Sequence, residues 1–388
     1  MKVASRLAAI SPSETLAITS KAKALKKQGV DVVSFAAGEP DFDTPEHIKE
    51  AAVRALHEGQ TKYTPARGMP ALIEAVRQKF KDDNGLEYST DQIVISCGAK
   101  HSLYNAFQAV CEEGDEIIIP SPYWVTYPEQ VKLAGGIPVF LPTREEEDFT
   151  IDSRRLKSLL TPRTRALVIC SPSNPTGAAI SRDRLEEIAN LACEHDFYLI
   201  SDEIYEKLIF DDFDLASIAS LSREVRERTI VINGVSKAYA MTGWRIGYLA
   251  APCPIASAIS NFQSHSTSNP TTVSQFAALA ALTGDQTPVK IMVEAFRKRR
   301  DFMMERLGGI EGLSCRKPVG AFYVFPNVSS LRMPSAELAN ELIEKAGIAV
   351  VPGGAFGWDS HIRLSFADSL DNLGKGLDRL QEYVESKL

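Results

Sequence analysis

The chain has 388 residues, enough for two domains and a large core, and its 44% hydrophobic and 24% charged residues are ordinary for a soluble globular protein. Its net charge of -7 argues against a nucleic-acid partner, its six cysteines form no close CxxC pair, and its six histidines show no HExxH-type spacing, so neither a disulfide scaffold nor a metal site is expected. No apolar run reaches bilayer length and the N-terminus turns polar within a dozen residues, so the expected setting is a reducing cytoplasm rather than a membrane or a secretory route.

In chain order, Ser13-Glu14-Thr15-Leu16 opens a helical pattern that stops at Gly29, and Thr44-Pro45 starts another, cap then proline, that ends at Gly59. Apolar strands are then predicted over 93–96, 116–119, 137–141, 166–170, 197–201 and 229–232, with a seventh over 248–250. Helical patterns over 100–110, 152–160 and 182–194 separate several of them. This alternation predicts an α/β fold with a mainly parallel seven-stranded sheet covered on both faces. From residue 287 a long charged helix runs to 307, and its basic run Arg297-Lys298-Arg299-Arg300 reads as a solvated face beside Glu294 and Asp301. A strand over 321–325, a helix near 335–346, strands over 348–351 and 362–366 and a final helix to 384 complete a smaller α+β domain. The expected division is an N-terminal arm with part of the small domain over 1–42, a large domain over 43–286 and a small domain over 287–388.

Open parallel sheets bind ligands beyond the carboxyl ends of their strands, and the unusual polar residues of this chain fall there. Gly98-Ala99-Lys100 follows one predicted strand with small residues at a helix N-terminus, a turn that serves either packing or a phosphate. It is neither a Walker loop nor a GxGxxG fingerprint. Trp124, after Ser121-Pro122-Tyr123, suits a core, an interface or stacking on a flat ring. Asn174 sits in the proline- and glycine-bracketed turn Ser173-Asn174-Pro175-Thr176-Gly177, where it stabilises the turn or donates to a ligand oxygen. Asp202 ends the apolar run Phe197-Tyr198-Leu199-Ile200, where a carboxylate needs a cationic partner such as a protonated ring nitrogen, and Tyr205 follows it with a phenol. Val231-Ile232-Asn233-Gly234-Val235-Ser236-Lys237 ends a fifth strand on a lysine placed for covalent chemistry with a carbonyl, and Arg245 follows eight residues later as a phosphate partner. Taken alone, that last turn is equally compatible with a surface lysine beside a structural arginine.

Ser236-Lys237-Ala238-Tyr239-Ala240-Met241-Thr242-Gly243-Trp244-Arg245-Ile246-Gly247 resembles the cofactor-lysine signature of the class I, fold-type I aminotransferases, which use pyridoxal 5'-phosphate (PLP). Ala37-Gly38-Glu39-Pro40-Asp41-Phe42, Tyr63-Thr64-Pro65, Asn174-Pro175-Thr176-Gly177, Ser201-Asp202-Glu203-Ile204-Tyr205, Gly320-Ala321-Phe322-Tyr323 and Arg363-Leu364-Ser365-Phe366-Ala367 carry the likeness from about residue 13 to the C-terminus. The branch most resembled is the bacterial-type aspartate aminotransferases, including the prephenate aminotransferases. The resemblance implies that Lys237 is the catalytic lysine bonded to PLP, that Asp202 holds the ring-nitrogen proton, that Tyr205 and Asn174 contact the ring oxygen and that Trp124 stacks on the ring. It gives the phosphate to backbone of Ala99 and Lys100, to Ser236 and Arg245, and across a homodimer interface to Tyr63. The substrate falls to Arg363, which clamps the α-carboxylate, with Asn174, Gly38, Trp124, Lys100 and Thr15 around it.

Two departures from the animal and enterobacterial aspartate branch bear on substrate. The motif for its partner-subunit arginine is not found, and Lys100 stands where the bacterial branch often places a lysine that reads a distal carboxylate. Gly234 stands where the other branch has a serine that binds phosphate. The expected reaction is amino transfer from L-aspartate to 2-oxoglutarate. Prephenate is the alternative oxo acid, because prephenate aminotransferases of this branch share a threonine and a lysine at the positions of Thr15 and Lys100. Another amino-acid aminotransferase, a PLP-dependent β-lyase and a non-enzymatic regulator on the same scaffold are the more distant readings. The helix from Ser13 is expected to help close the site.

Overall fold

The computed structural model describes residues 3–388, so residues 1 and 2 of the expected N-terminal arm lie outside it. Seven strands build the main sheet: β1 (Ile93–Ser96), β2 (Glu116–Ser121), β3 (Ile137–Pro142), β4 (Thr164–Cys170), β5 (Tyr198–Asp202), β6 (Thr229–Gly234) and β7 (Gly247–Ala250). Their order is β1-β7-β6-β5-β4-β2-β3. Only β7 runs against the rest, antiparallel to both β1 and β6. The other pairings, β2 with β3 and β4, β4 with β5, and β5 with β6, are parallel.

The strands read as continuous apolar runs because both faces are covered, and successive side chains supply different layers. Ile117, Ile119, Val168 and Ile200 pack with Leu103 and Phe107 of the helix Ala99–Val110. Ile118, Leu167, Ile169 and Leu199 pack on the opposite face with Leu185 and Ile188 of the helix Arg182–His195. Parallel strands joined this way present their carboxyl ends on one rim, which carries Ser96, Ser121, Cys170, Asp202 and Gly234.

The smaller domain holds a three-stranded antiparallel sheet of Val351–Pro352, Ile362–Ser365 and Tyr323–Val324. The N-terminal segment enters it directly, since Val33 and Ser34 pair in parallel with Ile348 and Ala349. Its core joins Phe35, Phe296, Phe322, Leu364 and Leu377 to Tyr205 and Leu208 of the large domain, so the two domains share apolar surface beside the rim.

Several local expectations change. The run 348–351 is two short strands in two sheets, because the chain changes partner at the fully buried Val350. The strand expected over 321–325 is paired only at Tyr323–Val324, since Ala321 has φ 59 and breaks extended backbone. Thr44 does not cap its helix; its hydroxyl donates to Ala240 O at 2.7 Å and accepts from Trp244 Nε1 at 3.0 Å. The basic run of the long helix Thr287–Gly308 is only partly solvated. Arg300 is fully buried over the Phe210 ring, with both Nη atoms 2.8 Å from Asp211, and Arg299 makes two bonds to Asp41 at 2.7 and 2.9 Å.

Gly177 ties the two domains behind the rim. Its carbonyl accepts from Val319 N and Gly320 N, both at 3.0 Å, and its φ is +67. An added Cβ would meet the Pro318 side chain and lie 2.7 Å from Gly320 O. Gly177→Ala is therefore expected to destabilise the protein by about 2–3 kcal/mol through left-handed backbone and overpacking together. An unchanged thermal midpoint would contradict this reading of the junction.

Candidate active site

A cleft of about 240 Å³ opens at the rim, between the large sheet and the strand Ile362–Ser365. At its floor, Asp202 ends β5 and is 3% exposed. Its carboxylate accepts from Tyr127 Oη at 2.7 Å and from Ile204 N at 3.3 Å. Burial pushes its pKa up to about 6, opposed by those two donors and by the Lys237 charge. A carboxylate so placed favours a cation at the cleft floor.

Lys237 sits on the turn after β6, and its Nζ donates to Gly38 O at 2.6 Å. Burial pulls its pKa down to about 8; Arg363 and Arg245 act in the same direction, while Glu39 and Asp202 act against it. An amine so tuned is available as its free base near neutral pH, as a nucleophile or proton carrier must be. The turn is held by Met241 N–H bonding Ser236 O at 3.1 Å, and by the Thr44 link to Ala240 and Trp244.

One wall is an anion cup. The helix Ala99–Val110 begins there, and its first intrahelical donor is the His101 N–H to Gly98 O at 2.9 Å, which leaves the Ala99 and Lys100 N–H groups facing the cleft end. Arg245, at φ 57, spans the cup with Nη1 2.8 Å from Thr242 O and Nη2 3.3 Å from Cys97 O. Among the described residues no carboxylate pairs with its guanidinium. Gly98, at φ +90, has no room for a Cβ beside that guanidinium, and a Cβ on Gly247 would strike Ala99 N. Ser236 is buried at the same wall.

Across the cleft, Arg363 is 2% exposed, with Nη1 2.9 Å from Asn174 Oδ1 and Nη2 3.1 Å from Ala36 O. Its Nε is buried without a partner. Burial lowers its pKa from the usual arginine value. A guanidinium bonded only to neutral oxygens, with a free Nε–H, is a receptor for a carboxylate. Lys100 lies over the Trp124 ring, its Nζ 4.9 Å from the centroid. The Tyr205 hydroxyl lies 3.0 Å from that of Tyr323.

Thus Thr15, Gly38, Lys100, Trp124, Asn174 and Arg363 share one cleft with Ala99, Asp202, Tyr205, Ser236, Lys237 and Arg245. Tyr63 does not join them; it is 90% exposed. Its loop is nonetheless fixed, by Thr272 Oγ1 donating to Lys62 O at 2.7 Å and Gln275 Nε2 to Thr64 Oγ1 at 2.9 Å. The sequence reading missed Tyr127 and assigned no role to Tyr323 or Glu39. Glu39 accepts from Thr242 Oγ1 at 2.6 Å. A buried tyrosine needs a partner for its hydroxyl, but that Tyr127 finds Asp202 depends on how the helix Thr126–Leu133 brings it to the end of β5. The donor set fits PLP: an anion cup for a phosphate, a buried carboxylate for a ring nitrogen, an indole for a ring face and a low-pKa lysine for an aldehyde.

The family model for aminotransferase class I and II matches residues 30–380. The chain is 48% identical over 392 residues to the aspartate aminotransferase of Geobacillus stearothermophilus, covering 100% of each. It is 48% identical over 377 residues to the aspartate/prephenate aminotransferase of Thermus thermophilus, covering 96% of each. Among solved structures, the aspartate aminotransferase from Thermus thermophilus with maleate superposes with a TM-score of 0.95 at 46% identity, covering 98% of this chain and 99% of that one.

The Asp202 environment has a measurable cost in the cofactor-free protein. With the folded pKa raised from 3.8 to about 6, the native state holds more protons than the unfolded state in that window, so stability falls as pH rises through it. The loss is about 3 kcal/mol at about 1.4 kcal/mol per unit. Denaturant titration of Asp202→Asn beside the parent is expected to show an advantage for the variant that grows from pH 4 to pH 7. A difference independent of pH would contradict the burial argument.

Proposed function

The chain belongs to the class I and II aminotransferases, PLP-dependent enzymes, and from that premise we propose that it moves the amino group of L-aspartate to 2-oxoglutarate, giving oxaloacetate and L-glutamate. The observation that carries the substrate choice is the pair of cations in one cleft, Arg363 and Lys100, which suits an amino acid bearing two carboxylates. The similarity to aspartate aminotransferases over the whole chain supports it. PLP would be held by Lys237 covalently, by Asp202 and Trp124 at the ring, by Asn174 and Tyr205 at the ring oxygen, and by Ala99, Lys100, Ser236 and Arg245 at the phosphate. Bound there, PLP supplies an electron sink for the charge left when the α-proton of the amino acid departs.

The chain's own residues do the rest. Arg363 receives the α-carboxylate through its open Nε–H side, with Asn174 and the Gly38 backbone beside it. Lys237 Nζ, with its pKa pulled to about 8, takes the α-proton as a base and returns it as an acid. Asp202, whose ionised form is favoured by the Tyr127 and Ile204 donors, would keep the ring nitrogen protonated. Thr15, Leu16 and Thr19 of the N-terminal helix line the mouth, and their ordering on substrate would exclude water.

Prephenate is the second reading, favoured by Thr15 and Lys100 lining the same cleft and by the similarity to aspartate/prephenate aminotransferases. A kcat/KM panel of oxaloacetate, prephenate, phenylpyruvate and pyruvate with one amino donor separates the two. Loss of the Lys100 ammonium removes a charged hydrogen bond, so Lys100→Ala is expected to cut kcat/KM for the dicarboxylic oxo acids by about 10–100-fold and for pyruvate by less than about 3-fold. Equal loss for pyruvate and oxaloacetate would contradict this distal pocket.

The proposal includes a cytoplasmic homodimer with shared sites, in which the bare Tyr63 side chain reaches the partner's phosphate cup. Exchange of Tyr63→Phe subunits with excess Lys237→Ala subunits is then expected to restore parent-like PLP retention at the sites that keep Lys237. No recovery on exchange, or a fully active monomer in sedimentation, would contradict the shared site.

A further inference from the structure

Tyr323 is fully buried and lines the cleft. It lies on the strand Tyr323–Val324, which pairs with the strand that carries Arg363 through Leu364↔Val324 and Ser365↔Tyr323. Two contacts radiate from this one side chain. Its ring underlies the Arg363 guanidinium, with Cζ 4.3 Å from the centroid, while the Phe356 ring stands 5.3 Å from the same atom. Its hydroxyl lies 3.0 Å from that of Tyr205, a fully desolvated phenol of the large domain.

We infer that Tyr323 is a positioning residue that couples the carboxylate clamp to the ring-oxygen contact, its ring fixing the plane of Arg363 and its hydroxyl donating to Tyr205. The direction of that hydrogen bond follows from charge. The titratable groups facing Tyr323 are Arg363, Tyr205, Cys170 and Glu39. Burial raises the proton affinity of both phenols, and Arg363, whose Cζ lies 4.3 Å from the Tyr323 ring centroid, opposes this most directly at Tyr323. Tyr323 is therefore the stronger acid and donates, which leaves the Tyr205 O–H free to donate into the cleft. A phenol that accepts one hydrogen bond is a better donor in the next. When a carboxylate neutralises Arg363, Tyr323 becomes a weaker acid, and the Tyr205 donor weakens with it. Occupancy of the substrate clamp is thereby reported to the ring oxygen through two phenols, alongside the direct Arg363–Asn174 link.

This inference rests on the proposed roles of Arg363 and Tyr205, and the test separates its failure from theirs. In the holoenzyme, the pH midpoint of the colour change of the lysine-bound chromophore and its shift with succinate are measured for the parent, Tyr323→Phe, Tyr323→Leu and Arg363→Ala. A donor to the ring oxygen stabilises the deprotonated form, so loss of the supporting hydroxyl in Tyr323→Phe is expected to raise the midpoint by about half a unit. It is also expected to shrink the succinate-induced shift, with succinate affinity held within about twofold because the ring remains. Tyr323→Leu is expected to weaken succinate binding by about 30-fold, the size of a desolvated cation–π contact. An unchanged midpoint and an unchanged succinate shift in Tyr323→Phe overturn the coupling. Unchanged succinate affinity in Tyr323→Leu overturns the clamp-supporting role. Succinate binding that survives Arg363→Ala overturns instead the assignment of Arg363 on which both depend.

Discussion

A carboxylate withdrawn from water at the end of a buried strand is the constraint around which this site is organised. Asp202 can remain ionised there only with donors and a cation close by. Tyr127 supplies one donor and the Ile204 N–H the other, while Lys237 supplies a charge. The remaining demand is for a cation at the cleft floor, which is what a protonated ring nitrogen provides. The strand that carries Asp202 lies between β4 and β6 inside the sheet, so its neighbours fix its position from both sides.

The basic groups follow from the same logic. Lys237 is desolvated near Arg363 and Arg245, and their shared repulsion with burial brings its amine into the range where it can exchange protons. Arg363 and Arg245 both bond carbonyl or amide oxygens rather than carboxylates, so each keeps its charge uncompensated for a ligand. One lies at the small-domain strand and one at the anion cup, so a molecule carrying a phosphate at one end and a carboxylate at the other would be held across the domain junction. Gly98 and Gly247 allow the close approach that the cup requires.

Much of this was legible in the chain. The seven strands alternate with polar turns, and the special residues of five strand ends lie on one rim, as the topology of a parallel sheet requires. The helix Thr272–Thr283 escaped the sequence reading because it is apolar nearly all round, with Ala277, Ala278 and Ala281 fully buried, so it shows no amphipathic period. The helix Pro70–Asn84 does carry signals in the sequence, a proline at its start and a glycine, Gly85, just past its end, where the structure shows left-handed backbone. Arg363 was featureless by pattern, because nothing in a short apolar strand announces that an arginine faces inward; only the family likeness singled it out. Arg300 misled in the opposite sense. Lys298 of the same run is exposed, whereas the burial of Arg300 against Asp211 arises from a loop that is 89 residues away along the chain. Tyr127 and Tyr323 matter through partners on other elements, a kind of information that spacing along one segment does not hold.

The central claim is that Lys237, Asp202 and Arg363 act together on an amino acid to move its nitrogen rather than eliminate it. The direct test is a single half-reaction: PLP-loaded protein is mixed with L-glutamate in the absence of any oxo acid, and the products are counted per site. The account predicts about one equivalent of 2-oxoglutarate per site, conversion of the bound cofactor to its amine form, no free ammonia, and none of this in Lys237→Ala. Release of ammonia with the cofactor returned unchanged, or full conversion by the variant without the lysine, would contradict it.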